Sequence, residues 1–383
     1  MYLYVHFPYC LYKCHYCDFN SHATPAGSIP SDDYVSALLL ELKRHQDRFN
    51  SSVRNLETIF VGGGTPSLLA PIQVERLLDG ISHFFTISEK TEITLEANPK
   101  TIDREKLGGF RKAGINRISV GVQSLNNRFL KPFGRIHSAD DALEALALVA
   151  QTGFASWNAD LIFGFPGQTL DEWRGELSRL ISLHPPHLSC YALTVEKETL
   201  FHQQVAQGKS ERPDNDLQAE TLAETFSLLS AGGYTAYEIS NHSLPGHSSR
   251  HNLNYWRYGQ YLGIGAGAVS FFHHRDSELF GIRTTNLKEP KRYMEAVRRD
   301  GSDFFDSEEI PRKTAMGEFM MMGLRLKEGP DPAAFHKLFG SSLPETFSEA
   351  LEGHRARGLI APGNYSLTRE GRFFANQVMA DYV

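Results

Sequence analysis

Six short apolar runs, each ended by a polar residue or glycine, mark the first half of the chain: LYVHFPY (3–9), ETIFVGG (57–63), EITLEANP (92–99), RISVGVQS (117–124), WNADLIFGF (157–165) and HLSCYALT (187–194). Their length and β-branched content predict buried strands. Between them, apolar residues recur at helical spacing. Val35, Leu38, Leu39 and Leu42 follow the first strand, and Val74, Leu77, Leu78 and Ile81 follow the second, behind Pro71. Leu170, Trp173, Leu177 and Leu180 repeat the pattern after the fifth. Strand–helix alternation implies a parallel sheet with right-handed crossovers. Six units fall short of a closed eight-unit barrel, so the expected fold class is α/β, a partial (β/α)6 barrel, with an open doubly wound sheet as the alternative. In either architecture functional side chains gather where strands end. Here those positions hold Cys10, Gly62, Gly63, Gly64, Glu96, Gln123 and Asp160.

The rhythm changes after about residue 235. Three regions are expected: the barrel over 1–235, a loop-rich extension over 236–302, and a C-terminal domain over 303–383. The last begins with helical text (RKTAMGEFMMMGLRL, ETFSEALEGHRARG) and closes with a short strand, a turn, a second strand and a helix. That order predicts a small α+β, winged-helix-like domain.

Composition narrows the function. The chain has 383 residues, 41% hydrophobic and 22% charged, which is globular. A net charge of -6 argues against nucleic acid as a partner, wing notwithstanding. The opening MYLYVHFPY reads as a strand rather than a signal peptide, and no stretch has the length of a membrane span. With no secretion signal, four cysteines suggest metal or redox chemistry in a reducing cytoplasm rather than disulfides.

Three of those cysteines, Cys10, Cys14 and Cys17, stand in FPYCLYKCHYCDFN. Thiolates at such close spacing can converge on an iron–sulfur cluster, and three ligands to four irons leave one iron open for a further ligand. Zinc, with His6, His15 or Cys190 as a fourth ligand, is the alternative that spacing leaves standing. VGGGTPS (61–67), directly after a strand, offers glycines that let a ligand approach and leave N–H groups for a carboxylate. Glu96, Gln123, Arg135 and Asp160 form a polar set at successive strand ends or near them, and a carboxylate such as Glu96 can accept from ribose hydroxyls.

CLYKCHYC resembles the signature of the radical S-adenosylmethionine (SAM) superfamily, whose fold is a partial (β/α)6 barrel. The resemblance implies a [4Fe-4S] cluster on Cys10, Cys14 and Cys17, with SAM on the open iron. It places Tyr16 near the adenine and Gly62, Gly63, Gly64 and Thr65 at the methionine end. Tyr4 and Ala192 join Glu96, Gln123, Arg135 and Asp160 in lining the site.

YVHFPYC, GGGTPS, EANP, GVQS, GRIH, YEISN, HNLNYW and GIGAGA narrow the resemblance to the branch that holds oxygen-independent coproporphyrinogen III dehydrogenase and its haem-chaperone relatives. The dehydrogenase carries one more cysteine, two residues after the third; here Phe19 stands there. It also carries an N-terminal extension, whereas this chain enters its first strand by about Leu3. Both departures speak against decarboxylation, and whether the chain turns over a substrate stays open. HNLNY (251–255) matches an HNxxY motif of the haem-binding relatives. Chemistry alone favours a structural hydrogen-bonding role. The resemblance implies haem, with His251 on the iron and Tyr255, four residues on, on the same helical face or packed on the porphyrin. It further implies transfer to acceptor haem proteins, such as respiratory-chain enzymes, and admits a homodimer and a peripheral membrane contact.

Overall fold

The computed structural model describes residues 1–46, 55–274, 278–299 and 303–383. The six predicted strands are present as β1 (Tyr2–Phe7), β2 (Thr58–Gly63), β3 (Glu92–Ala97), β4 (Arg117–Gln123), β5 (Ser156–Phe163) and β6 (His187–Ala192). They pair in sequence order, all parallel. Helices α1 (Ser31–Gln46), α2 (Pro71–Ser82), α3 (Arg104–Ala113), α4 (Ala139–Thr152) and α5 (Leu170–Ile181) make the crossovers. Their apolar stripes are the ones periodicity predicts. α2 buries Val74, Leu77, Leu78 and Ile81, and α5 buries Trp173, Leu177 and Leu180. Local signals set the ends: Ser138 and Asp141 form a capping box that opens α4, and Gly153, in the left-handed region, ends it.

The stretch 236–302, expected to be loop-rich, is more ordered than its glycine and histidine content suggests. β7 (Asn241–Ser243) adds antiparallel to β6 and pairs with Thr235–Ala236. β8 (Leu262–Ile264) adds parallel to β1 at the opposite edge. Among the described residues the main sheet therefore has nine strands and remains open, a partial barrel with both rims extended. A second, antiparallel sheet follows: β9 (Val269–His273), β10 (Leu279–Asn286) and β11 (Phe305–Pro311). The expected boundary at 302 falls on residues outside those described.

The C-terminal part shares a second core with the preceding region: Phe319, Met320, Phe335, Phe339 and Val378 pack with Tyr258, Phe271 and Phe280. Its first helix, α8 (Arg312–Gly323), sits where the sequence predicts. The two strands expected in GLIAPGNYSLT shrink to a single antiparallel bridge, Ile360 with Leu367. The fold class is α/β: a parallel partial barrel followed by an antiparallel sheet and helices.

Candidate functional site

The first strand leads straight into the cysteine loop. Tyr9–Cys10 pairs in parallel with His22–Ala23, which pinches off the loop that carries Cys14 and Cys17. Asn20 anchors it: its side-chain amide donates to the carbonyls of Ala266 and Lys288, both at 2.9 Å, and its own carbonyl meets His6 Nε2 at 2.8 Å. Each cysteine has a polar neighbour. Thr65 Oγ1 donates to Cys10 Sγ at 3.3 Å, an Arg135 guanidinium N–H to Cys14 Sγ at 3.5 Å, and Ser21 Oγ lies 3.6 Å from Cys17 Sγ. All four cysteines are free. Burial pushes the Cys10 thiol up to about 11 and raises Cys17 as well, so metal binding here displaces protons. Among the described residues, no three His, Cys, Asp or Glu side chains stand close enough to share one metal ion. Cys190 lies apart, buried in the barrel core on β6.

The cysteine loop roofs a cavity of about 480 Å³ at the C-terminal ends of the strands. Of the predicted residues, Cys10, Cys14, Tyr16, Cys17, Gly63, Gly64, Thr65, Glu96, Gln123, Arg135, Asp160 and Ala192 all line it. Gln123 follows a bulge in β4 and holds φ 67, the left-handed region that non-glycine residues avoid, at a position lining the cavity. Glu96 accepts from the Gly63 N–H at 3.0 Å; burial and the nearby Asp160 charge push its carboxyl up to about 8. Asp160 is raised chiefly by burial, countered by hydrogen bonds from Ser119 and Asn158. Arg135 is half-buried, its buried Nε–H has no partner among the described residues, and it lines the cavity. That donor set fits a small anionic group such as a carboxylate.

Four expectations need correction. The glycine run does not leave its N–H groups open: Gly63 donates to Glu96, Gly64 to the Phe7 carbonyl at 2.7 Å and Thr65 to the Tyr9 carbonyl at 2.9 Å. Absence of a side chain is what matters there. A Cβ on Gly63 (φ 112) would sit 2.5 Å from the His6 ring, and one on Gly64 2.7 Å from the Tyr9 carbonyl. Tyr4 does not border the cavity: it faces the barrel interior level with Phe60 and Thr94, deeper than Glu96, stacked on Phe60, its hydroxyl 2.9 Å from His6 Nδ1. Gly62 likewise does not border it; a Cβ there would strike Phe60.

The fourth concerns the haem residues. HNLNY is helical, in α7 (Arg250–Trp256), so His251 and Tyr255 do share a face. His251 is buried at 1% exposure beside β2, its Nδ1 2.6 Å from Thr58 Oγ1 and its Nε2 2.8 Å from the Tyr255 hydroxyl. Its ring stacks on Phe60 at 5.1 Å. Glu92 caps the helix by accepting from the N–H groups of Arg250 and His251. Thr58 opens β2, so the motif closes the barrel at the end opposite the cavity. Both ring nitrogens of His251 are thus engaged by hydroxyls, and neither faces the cavity.

Sequence reasoning missed what stands behind the cavity. From Asp160 a buried chain runs through Ser119 and Asn158 to Ser189 and on to Asn241 at 2.8 Å, whose amide donates to Glu238 at 2.6 Å. Arg325, past the end of α8, meets Glu238 at 3.1 Å. Asn158 also contacts His187, whose Nε2 reaches the Tyr237 hydroxyl at 2.8 Å. A signal existed: Arg117, Ser119, Gly121 and Gln123 alternate with apolar residues, as do Asn158 and Asp160, which predicts a polar inner face.

Comparison with known proteins agrees with this geometry. The Radical SAM superfamily model matches residues 4–180, and the HemN C-terminal domain model matches 310–374. The heme chaperone HemW of Escherichia coli (strain K12) is 38% identical over 98% of this chain and 96% of its own length. That of Bacillus subtilis (strain 168) is 34% identical over 99% and 98%. Mouse radical S-adenosyl methionine domain-containing protein 1, mitochondrial, is 37% identical over 85% of this chain and 73% of its own. Among solved structures, coproporphyrinogen III oxidase (HemN) from Escherichia coli superposes with a TM-score of 0.81 over 99% of this chain and 89% of its own; at 24% identity it speaks for the fold. A cysteine loop over a strand-end cavity, on a chain matched end to end by these relatives, places the protein in the HemW family of the radical SAM superfamily.

Proposed function

We propose that the chain is a haem chaperone: it binds haem and passes it to acceptor haem proteins in the cytoplasm, on a barrel that carries a [4Fe-4S] cluster and SAM. Membership of the radical SAM superfamily implies the cluster and SAM. The observation that carries the haem reading is the end-to-end likeness to relatives named heme chaperones. It is joined by Phe19, which lines the cavity where the dehydrogenase pattern asks for another cysteine. Among the described residues no helix is long and apolar enough to cross a membrane.

Cys10, Cys14 and Cys17 would hold the cluster; together, cluster and SAM supply one-electron chemistry. The chain's own groups then have separable tasks. Thr65 donates to Cys10, and the half-buried Arg135 cation offsets thiolate charge at Cys14. Glu96 and Asp160 offer acceptors to hydroxyls, Arg135 a donor to a carboxylate, and the apolar wall around Tyr16 and Ile162 suits a flat base.

Anaerobic reconstitution, with iron and sulfide analysis, then parallel haem titration and coproporphyrinogen III turnover, tests this reading. Stoichiometric haem binding without decarboxylation is expected. Absence of haem binding, or appearance of protoporphyrinogen IX, overturns it.

A further inference from the structure

The wall of the cavity contains a strained turn, and a buried carboxylate on α5 holds it. Of the four non-glycine residues with positive φ among the described residues, Gln123 alone lines the cavity. The bulge at the end of β4 makes it the centre of a three-residue turn, closed by the Ser124 N–H on the Val122 carbonyl at 2.9 Å. With φ 67 this is the rarer, strained form of that turn. The turn carries the Gln123 amide back over Gly121, where a Cβ would come 2.9 Å from Nε2 and 3.3 Å from the Arg135 guanidinium. The Gln123 amide makes no hydrogen bond among the described residues, so its donor and its acceptor both remain for a ligand in the cavity.

Such a conformation persists only where neighbouring groups over-determine it. His137 Nε2 lies 2.9 Å from the Val122 carbonyl on one side of the turn. On the other, Glu176 accepts from the Ser124 hydroxyl at 2.7 Å and from the Leu125 N–H at 2.6 Å, both at Oε2. Ser124 Oγ in turn accepts from the Asn126 N–H at 3.0 Å. Glu176 stands on the buried face of α5 with Trp173, Leu177 and Leu180, and no cation pairs with it among the described residues. Burying a carboxylate that way is costly unless hydrogen bonds compensate, and the compensation here comes from the turn. Glu176 itself does not line the cavity. We propose that Glu176 is a positioning residue for SAM: it clamps the turn around Gln123 and so holds that amide in the cavity. The inference rests on SAM occupying the cavity, as the proposed function has it, and adds a residue that acts on the ligand only through Gln123.

The test is calorimetric titration of SAM into the anaerobically reconstituted full chain and its variants, with iron content checking that each is loaded like the parent. Glu176→Met keeps the length of the side chain and removes the acceptor; it should weaken SAM binding about tenfold, the order of a released strained turn. Ser124→Ala removes one of the two bonds to the same oxygen and should weaken binding in the same direction by less. Gln123→Ala should weaken it by at least as much as Glu176→Met. A merely structural role for Glu176 predicts additive losses, whereas a clamp that acts through Gln123 predicts that Glu176→Met adds less than about twofold once Gln123 is alanine. Unchanged SAM affinity in Glu176→Met or in Gln123→Ala overturns the proposal, as does the full Glu176→Met loss persisting in the double variant. Where Glu176→Met does not load its iron, unchanged affinity in Ser124→Ala overturns it instead. A loaded parent that binds no SAM overturns the reading of the cavity itself.

Discussion

Replacing His251 with alanine should lower the stability of the fold much more than its affinity for haem. The ring fills space between Phe60 and Tyr255, and its nitrogens satisfy the Thr58 and Tyr255 hydroxyls. Emptying a buried site of that size costs about 3 kcal/mol, and leaving the buried Thr58 hydroxyl unpartnered about 1 kcal/mol more. At about 2.1 cal/mol/K per residue, 4 kcal/mol lowers the melting temperature of a 383-residue cooperative unit by about 5 °C. The loss carries a pH signature. Burial holds the imidazole down to about 3, whereas in the unfolded chain it titrates near 6.5. Below about pH 6.5 the unfolded wild type gains a proton that the folded state refuses, a penalty of about 1.4 kcal/mol per pH unit. By pH 5 the wild type has lost about 2 kcal/mol from this group, and the variant nothing. Thermal unfolding followed by circular dichroism at pH 8 and pH 5 should therefore show the gap between the two proteins closing by about half. Haem titration well below the transition should give similar dissociation constants. An unmoved melting temperature at pH 8, together with lost haem affinity, would refute the buried, neutral role and return His251 to the iron.

Three further outcomes follow from the site. Glu96 ionises only near pH 8, so SAM, with its cationic sulfonium and its hydroxyl donors, should bind more tightly as pH rises from 7 to 9, and Glu96→Gln should flatten that dependence in calorimetric titration. Gly63→Ala forces a Cβ into the His6 ring at a φ that disfavours it; equilibrium denaturation should show a loss of about 2–3 kcal/mol or more. Thr65→Val keeps the shape and removes the donor to Cys10, so iron should leave several-fold faster under a chelator while melting moves by less than about 1 kcal/mol in equivalent stability.

Strand and helix placement was legible because apolar periodicity is imposed directly by burial, as the buried faces of α2 and α5 illustrate. The cavity was legible for the same reason: parallel strands end together, so Cys10, Glu96, Gln123 and Asp160 had to meet. The direction a group faces was harder to read. Tyr4 and Gly62 share the inward face with Glu96, yet neither borders the cavity: Tyr4 lies deeper, level with Phe60, and the Phe60 ring covers Gly62. Chemistry alone gave HNLNY a structural hydrogen-bonding role, and α7 points His251 at Thr58, a contact 193 positions away in sequence. The strands β7 and β8 escaped notice because three-residue strands carry no usable period. The chemical reading of HNLNY as a structural pair was closer to the geometry than the resemblance was.

The hydrogen-bonded file from Asp160 to Arg325 bears on how this architecture can change over time. Glu238 has no exposed side-chain surface, and its cationic partner comes from the C-terminal region. The backbone adds to the bond, with the Lys327 N–H on the Tyr237 carbonyl and a bridge between Glu238 and Leu326. Exchanging the C-terminal region for an unrelated one would strand a buried carboxylate three hydrogen bonds from Asn158, a group that holds Asp160. The two parts can therefore change compatibly only while the Glu238–Arg325 pairing between them is kept.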